Sequence, residues 1–256
     1  MGAKAYSFVG SVYFGLLDAN KQLTGGFFKV GNVFPLKLKV ETEQKSQISR
    51  QLENFGQTLD TLTRLKSVTG NMDIHQWLPK TLAWGLSGGA TAMTAEAGTV
   101  AAETPEEIVA VHDQFVRLAH KKVSSVVVKD ETDATTYDVG DDYTVNANLG
   151  MIEVLSTGAI ADGAALNVSY SYAAESGYRV DIATNTLIRV AVMIDGQNEY
   201  TGEKIDAEFY SVVLASGSEI GIISEPESDY EKLPFAMTFE TPEGMTSPGK
   251  INGIPL

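Results

Sequence analysis

The chain of 256 residues contains no cysteine and no long run of apolar residues. Without cysteine it can form neither a disulfide framework nor a zinc–thiolate site. No stretch approaches the roughly 20 apolar residues that a membrane-spanning helix needs. The first residues also lack the basic start and the unbroken apolar run of a signal peptide. We therefore expect a soluble chain that folds in a reducing cytoplasm and does not insert into a membrane.

Positive charge is scarce in most of the chain, whose formal net charge is −14. Residues 1–70 carry nine Lys and Arg against five Asp and Glu, whereas residues 71–256 carry ten against twenty-eight. So acidic a chain is a poor candidate for holding nucleic acid, which requires basic patches. Two interpretations of the asymmetry stay open: solubility through self-repulsion, or a basic region of one copy that meets an acidic region of another. Charge alone favours the first.

Alternating apolar and polar residues, which are typical of half-buried strands, recur along the sequence. LIRVAVMI (187–194) places its isoleucines and valines on one face, and KIDAEFYSVVLAS (204–216) and LPFAMTFET (233–241) alternate in the same way. Only one helix is indicated. These patterns predict a mainly β fold, an antiparallel sandwich or barrel with a single packed α-helix.

The predicted helix also contains a motif that resembles a catalytic signature. Asn71 or Asp73 is a candidate cap for its start, and Pro79 suits its first turn. GLSGG (85–89) ends it and matches G-x-S-x-G. A nucleophile elbow needs a strand before its serine and a helix after it. Here the helix comes first, so we assign Ser87 to the end of the helix.

The stretch that begins at Val33 indicates that the chain is a subunit of a larger assembly. VFPLKLKVET (33–42) alternates cleanly, and TLDTLTRLKSVT (58–69) returns with strand-favouring threonines. Between them lies a polar arm (43–57) that is nearly free of apolar residues. Connections of this length tend to be functional or disordered. We predict that this solvated arm becomes ordered against another molecule.

A second unit is predicted within the β-rich chain. VSSVVVKD, DDYTVNA, MIEVL and ALNVSYSY read as short strands separated by turns. We take residues 112–176 as a small all-β insertion domain. The core is then discontinuous and comprises residues 1–111 and 177–256.

The sequence offers no catalytic or metal-binding constellation. The three histidines lie in different predicted elements: His75, His112 and His120. The acidic cluster DVGDDY (138–143) lacks the spaced ligands and the closing Glu of a calcium loop. Asp206 and Glu208 share a strand face, which is more often the wet side of a sheet than a hydrolase dyad. We expect no enzymatic activity, no metal and no cofactor.

The order of these segments resembles the major tail tube proteins of tailed bacteriophages. The resemblance rests on PLKLKVET, the polar arm, TLDTLTRLKSVTGNMDI and WLPKTLAWGLSGG, in that order. LIRVAVMIDGQNEYTGEKIDAEFYSVVLA is similar to the pair of long strands in the C-terminal half of that family. The segment from TTYDVGDD to NVSYSY is similar to modules found in such proteins. The resemblance covers most of the chain, as a pattern of strands and turns.

This resemblance implies a fold and a role in the virion. It implies a β-sandwich flanked by a helix, in subunits that form hexameric rings around a continuous β-barrel. Rings stack head-to-tail into the tail tube, the conduit through which genome DNA passes without specific binding. The other partners implied are the tape measure, baseplate or tip, and terminator proteins of the tail. Assembly would take place in the cytoplasm of the host bacterium.

The resemblance also implies roles for particular residues. A long loop contacts the adjacent ring in this family, and here it corresponds to the polar arm, with Lys45 and Arg50 meeting acidic surfaces of the next ring. The residues of this inter-ring arm are Glu43, Lys45, Arg50 and Glu53. Family members tend to line the lumen with acidic groups, which repel phosphate. From strand polarity, the lumen-facing candidates are Glu41, Asp60, Asp206 and Glu208.

Three alternatives stay open at this stage. The chain could be a related tail ring component, such as a baseplate or terminator protein. It could also be a carbohydrate-binding or adhesin module of β-sandwich type, or an enzyme of that type, which would need His, Asp and Glu groups that converge from separate strands. Under the tube interpretation we expect the insertion to project outward, because a domain of that size would obstruct the bore, and this favours a non-contractile tail.

Overall fold

The computed structural model describes residues 7–223 and 230–253. Over these residues the protein is mainly β, as the sequence predicts, with antiparallel sheets and one α-helix, α1 (Pro79–Gly85). None of the described helical segments is long and apolar enough to cross a membrane. The strands are, in chain order, β1 (Phe8–Leu17), β2 (Leu23–Lys29), β3 (Val33–Ile48), β4 (Thr58–Ile74), β5 (Gly89–Ala95), β6 (Gly98–Val100), β7 (Glu106–Val109), β8 (Phe115–Arg117), β9 (Val123–Asp130), β10 (Tyr143–Asn146), β11 (Met151–Val154), β12 (Ala165–Tyr172), β13 (Glu175–Asp181), β14 (Ile188–Asn198), β15 (Lys204–Ser216), β16 (Leu233–Glu240) and β17 (Gly249–Asn252).

The chain divides into two compact units. The first comprises residues 1–91 and 179–256, and the second comprises residues 92–178. The sequence predicts an insertion that begins at residue 112, but in the structure the second unit begins at Ala92. The reason is that β6 and β7 pair with β12 of that unit. The boundaries between the units fall within β5 and β13, which form a two-stranded sheet.

The first unit is built on one eight-stranded antiparallel sheet. Its strands follow the order β2-β1-β14-β15-β16-β4-β3, and β17 pairs with the first half of β15. The alternation along β14 places Ile188, Val190 and Val192 in the core, because successive side chains of a strand point to opposite faces. Phe235 and Met237 of β16 join the same core.

The α-helix lies against this core. Trp84 stacks on Phe14 at 6.2 Å between ring centroids and meets Phe28 edge-on at 5.7 Å. The cap predicted at Asn71 or Asp73 is wrong, because β4 continues through both positions and the helix begins after Leu78.

The end of the helix agrees with the prediction from GLSGG. Ser87 has a positive φ of 51°, and the backbone N–H of Gly88 donates to the carbonyl oxygen of Ala83 at 2.7 Å. A left-handed residue followed by such a bond is a common way to end a helix. Ser87 therefore follows a helix and precedes a strand, the reverse of a nucleophile elbow.

The second unit has its own core between two antiparallel sheets. One sheet has the order β10-β11-β8, and in the other β12 pairs with β6, β7 and β9. Ile152 and Val154 from the first sheet and Val128, Leu166 and Val168 from the second are buried together.

Candidate functional site

A long hairpin extends from the edge of the sheet in the first unit. Within the described chain, β3 pairs only with β4, and β4 pairs with β16 only over residues 69–74. Residues 42–65, which we call the hairpin arm, therefore have no third strand beside them. All of them are exposed except Ser49, which is buried, and Asn54, which is half-buried.

The structure corrects the expected shape of this segment. The sequence predicts a long solvated arm over residues 43–57, but Glu43 to Ile48 continue β3 and pair with β4. Only residues 49–57 form the turn. Threonine is frequent in β4, and cross-strand hydroxyl pairs such as Ser46 and Thr61, at 3.3 Å, support a ladder without burial. Both faces of the segment are exposed and largely polar. It therefore lacks the alternation of apolar and polar residues from which a half-buried strand is predicted.

The turn at the end of the hairpin arm is internally ordered around Ser49. The backbone N–H of Ser49 donates to the carbonyl oxygen of Gln57 at 2.8 Å, and its carbonyl oxygen accepts from the N–H of Gly56 at 3.0 Å. Its hydroxyl donates to the side chain of Asn54. Gly56 takes a positive φ of 83°, which glycine adopts without strain. The tip is therefore a preformed turn.

The two faces of the hairpin arm differ in chemistry. On one face the cross-strand pairs include Glu43 with Arg64 and Lys45 with Leu62. The other face carries uncharged pairs, such as Thr42 with Leu65. Six large apolar side chains of the arm are exposed: Ile48, Leu52, Phe55, Leu59, Leu62 and Leu65. These side chains were not among the predicted site residues. The available signal was the presence of isolated apolar residues within an otherwise polar segment.

The four residues predicted for the inter-ring arm all lie on the hairpin arm and are exposed. Glu43 and Lys45 belong to β3, and their charged atoms lie 3.6 Å apart. Arg50 and Glu53 lie in the turn, Glu53 within a short 3-10 segment.

The four lumen-facing candidates share one face of the sheet, which we call the polar face. Asp206 and Glu208 alternate along β15 with Ile205, Ala207 and Phe209, which are buried. On β3, Glu41 alternates with apolar residues that line the core side, and the register places Asp60 across from Gln47 on the same side as Glu41. Asp195, which was not among the predicted candidates, lies directly across the ladder from Asp206. Its alternation with Ile194 was a sufficient signal.

The carboxylates of the polar face are largely matched by cations or amides. Glu41 contacts Lys39 at 2.7 Å and Lys66 at 3.7 Å, and the hydrogen bond from Lys39 holds the pKa of Glu41 below its usual value. Glu208 contacts Lys250 at 3.0 Å, which raises the pKa of that lysine. The polar face therefore carries a mixture of charges and not a continuous acidic lining.

Asp206 is matched by an amide. Asn252 Nδ2 donates to its Oδ2 at 2.7 Å. Asp206 and Glu208 both face β17, which occupies the side of β15 that β16 leaves open.

The sheet of the first unit ends in two strands with open edges. β2 and β3 are the two edge strands of the sheet, and within the described residues neither pairs with a strand on its outer side. Open edges present unpaired N–H and C=O groups, which readily pair with another chain.

The histidines and the acidic cluster have structural contacts. His75 Nε2 donates to the carbonyl oxygen of Phe34 at 2.8 Å, and His112 Nε2 to that of Ile160 at 2.7 Å. The carboxylate of Asp142 accepts two backbone N–H groups, and the one from Ala159 is the larger cause of its lowered pKa. Among residues 7–223 and 230–253, no group of three or more His, Asp or Glu is placed to hold a metal ion.

The second unit contains a hydrogen-bonded cluster around Tyr170. Tyr170 Oη donates to the carboxylate of Glu106, and His120 Nδ1 lies 3.0 Å from the same hydroxyl. Burial, followed by the bond to Glu106, raises the pKa of Tyr170. Because a raised pKa lowers the fraction of phenolate, Tyr170 is a poor nucleophile. The hydrogen bond between Tyr170 and Glu106 joins β12 to β7.

Comparison with known proteins gives one family. The family model described as Protein of unknown function UCP028589 matches residues 5–241, which is most of the chain and covers both units. None of the curated proteins matches the chain.

Proposed function

We propose that this chain, which belongs to the protein family of unknown function UCP028589, is a structural subunit that assembles into stacked hexameric rings. These rings form the tail tube of a bacteriophage, the conduit for its genome. The chain acts without a cofactor and has no enzymatic role. The observation that carries the proposal is the hairpin arm, an ordered ribbon with both faces exposed.

The hairpin arm supports assembly because, within the described residues, no third strand lies beside it. A two-stranded ribbon is marginally stable in water unless a third strand or a second layer covers it. This ribbon has neither within the described residues, yet it carries six exposed large apolar side chains. Exposed apolar side chains concentrated on one uncovered ribbon favour an interaction site. In the proposed tube the arm contacts a subunit of the adjacent ring, with Lys45 and Arg50 among the contacting residues.

The open edges of the sheet support ring formation. Joining β2 of one copy to β3 of the next would extend the sheet from subunit to subunit. Closure of that sheet into a barrel removes every exposed edge. Head-to-tail contacts of this type give a closed ring in one direction and an open filament in the other.

The polar face suits a lumen through which DNA slides. Stable binding of DNA requires cationic patches that release counterions. On the polar face the lysines that flank Glu41 and Glu208 are already paired with those carboxylates. Lysines that are already paired hold phosphate less strongly than free cations, so the proposed lumen would let DNA slide.

Negative-stain electron microscopy of the purified chain across a concentration series tests the proposal. We expect hollow tubes or six-membered rings. Single rings that do not stack would favour a terminator or baseplate ring. Dispersed single particles at every concentration would contradict the proposal.

A further inference from the structure

An apolar groove opens in the first unit between two parts of its curved sheet. It has a volume of about 500 Å³ and is lined by residues of β1, β3, β14, β15 and β17. Every described residue that lines it is uncharged, and its exposed rim includes Val9, Leu38 and Ile251. Its floor consists of core residues such as Ile205 and Phe209. An apolar recess of this size that is open to water is suited to receive apolar side chains from another surface.

The tip of the hairpin arm has the complementary chemistry. Leu52 is 96% exposed and Phe55 is 74% exposed, although both belong to an ordered turn. The hydrogen bonds around Ser49 hold that turn in one conformation, so its docking would cost little conformational entropy. An aromatic and an aliphatic side chain held by a hydrogen-bonded turn are suited to anchor an interface when they enter a pocket.

The tip cannot occupy the groove of its own chain. The groove is lined by residues of β3 up to Leu38, and the arm leaves along the same strand to Ile48 before the turn begins. Ten residues of extended strand cover about 33 Å. To fold back over that distance, the arm would have to break the ladder between β3 and β4. A tip that docks in this groove must therefore belong to a different molecule.

The apolar tip and the apolar groove are both present on every copy, which favours a second copy of this chain as that molecule. The six exposed apolar side chains of the hairpin arm, which lie at its tip and on both of its faces, offer on the order of 100 Å² each, about 600 Å² together. Stable interfaces bury about 800 Å² on each partner. The tip in the groove, with the arm lying beside it, approaches this area. Neither Leu52 and Phe55 nor the described lining of the groove carries a charge, so these two side chains would bring no ion into the groove.

We infer that Leu52 and Phe55 of one copy dock into the apolar groove of the next copy. The inference rests on the proposed function and adds the identity of the surface that receives the arm. Each copy then carries one tip and one groove, which is a heterologous contact. Repetition of such a contact builds an open-ended stack.

The absence of cysteine from the chain allows a direct cross-linking test. A chain with Leu52→Cys and Leu38→Cys carries one thiol at the tip and one at the rim of the groove. The two cannot bridge within one chain, because a disulfide requires Cα atoms within about 7 Å. On oxidation of the assembled protein, we expect a ladder of covalent multimers beyond the dimer on a non-reducing gel. Either single variant alone can give at most a dimer.

The matched control replaces the rim position by one on the opposite face of the sheet. Met193 is exposed to the same extent as Leu38, 39% against 40%, but its neighbour Ile194 is the residue that lines the groove. Leu52→Cys with Met193→Cys should give no ladder. Equal ladders from the two double variants would overturn the inference.

Micrographs of the same samples separate this inference from the proposed function. Tubes or rings without a ladder from the Leu52 and Leu38 pair would overturn the docking and leave the tube intact. A ladder without tubes or rings would support the docking and contradict the tube. Monomers without a ladder at every concentration would overturn both.

Discussion

Two ladders of the first unit are built alike and differ in what covers them. The ladder of β14 and β15 places Val190, Val192 and Phe209 in the hydrophobic core, where they are buried. The ladder of the hairpin arm carries apolar side chains on both faces, Leu62 on one and Leu65 on the other, and they are exposed. The hydrogen bonding between strands is therefore not what distinguishes core from arm. The difference is what covers the side chains, and in the proposed assembly another molecule covers those of the arm.

The largest effect is expected where the sheet is covered. Phe235 is almost fully buried in β16, and Phe235→Ala removes a ring that packs in the core. We expect the free energy of unfolding to fall by about 3–5 kcal/mol, because the substitution loses burial and leaves a cavity. Urea denaturation of the monomer measures this change. A loss below about 1 kcal/mol would show that the sheet is not covered as described.

An intermediate effect is expected at Glu240, where the covered sheet carries a charge. Its Oε2 accepts from Arg189 Nε at 3.0 Å and from Ser211 at 2.9 Å, and Lys21 contacts it at 3.0 Å. Burial alone would raise the pKa of Glu240, but these three donors outweigh it and hold the pKa below its ordinary value of 4.5. Glu240→Gln should lower the unfolding free energy by roughly 1–3 kcal/mol near neutral pH.

The sign of the pH dependence follows from this lowered pKa. The charged form of Glu240 stabilises the folded chain above pH 4.5, and this contribution is lost as the pH falls through the lowered folded pKa. Urea titrations between pH 7 and pH 3 should therefore show a shallower loss of stability for Glu240→Gln than for the unchanged chain. Parallel curves would contradict the assignment.

A small effect on stability and a large effect on assembly are expected at the tip. Phe55→Ala removes a ring that touches water, so we expect the unfolding free energy to change by less than about 0.5 kcal/mol. Burial of a phenylalanine is worth about 1.5–3 kcal/mol, so the concentration needed for assembly should rise at least tenfold. Sedimentation velocity across a dilution series measures the second quantity. Unchanged assembly would show that the tip is free in the assembled state as well.

The smallest effect on the monomer is expected for the charges of the hairpin arm. Replacing Lys45 and Arg50 together by Glu should leave the fold unchanged, because both side chains are exposed. Ring stacking should weaken if these cations meet acidic surfaces of a neighbouring copy. Tube length in micrographs is the readout, with Lys121→Glu, an exposed site in the second unit, as the control. Tubes of unchanged length would contradict the role of the two charges.

The predictability of the fold from sequence follows the same division between covered and uncovered strands. The alternation in β14, β15 and β16 was readable because one face of each strand is buried and therefore apolar. In the hairpin arm both faces meet water, so the sequence between Glu43 and Gln57 looks like a loop although six of its fifteen residues belong to β3. The second unit was predicted to begin too late in the chain because β6 and β7 are short and their pairing with β12 is long-range.

The sequence was enough to predict which residues share the polar face, but not which residues they contact. Strand polarity was enough to put Asp206 and Glu208 on one face. The sequence could not show that Lys250 and Asn252 of β17 lie opposite them, because that register depends on β17 taking the place beside β15 that β16 vacates. The groove could not be foreseen either, since its lining comes from five strands distant in sequence.

Amide hydrogen exchange, compared between dilute monomer and concentrated assembly, tests most directly that the hairpin arm is an uncovered interface. We expect residues 42–65 to exchange rapidly in the monomer and to become protected on assembly. Residues of β14 and β15 should be protected in both states and serve as the internal reference. Equal exchange of the arm in monomer and assembly would contradict the account.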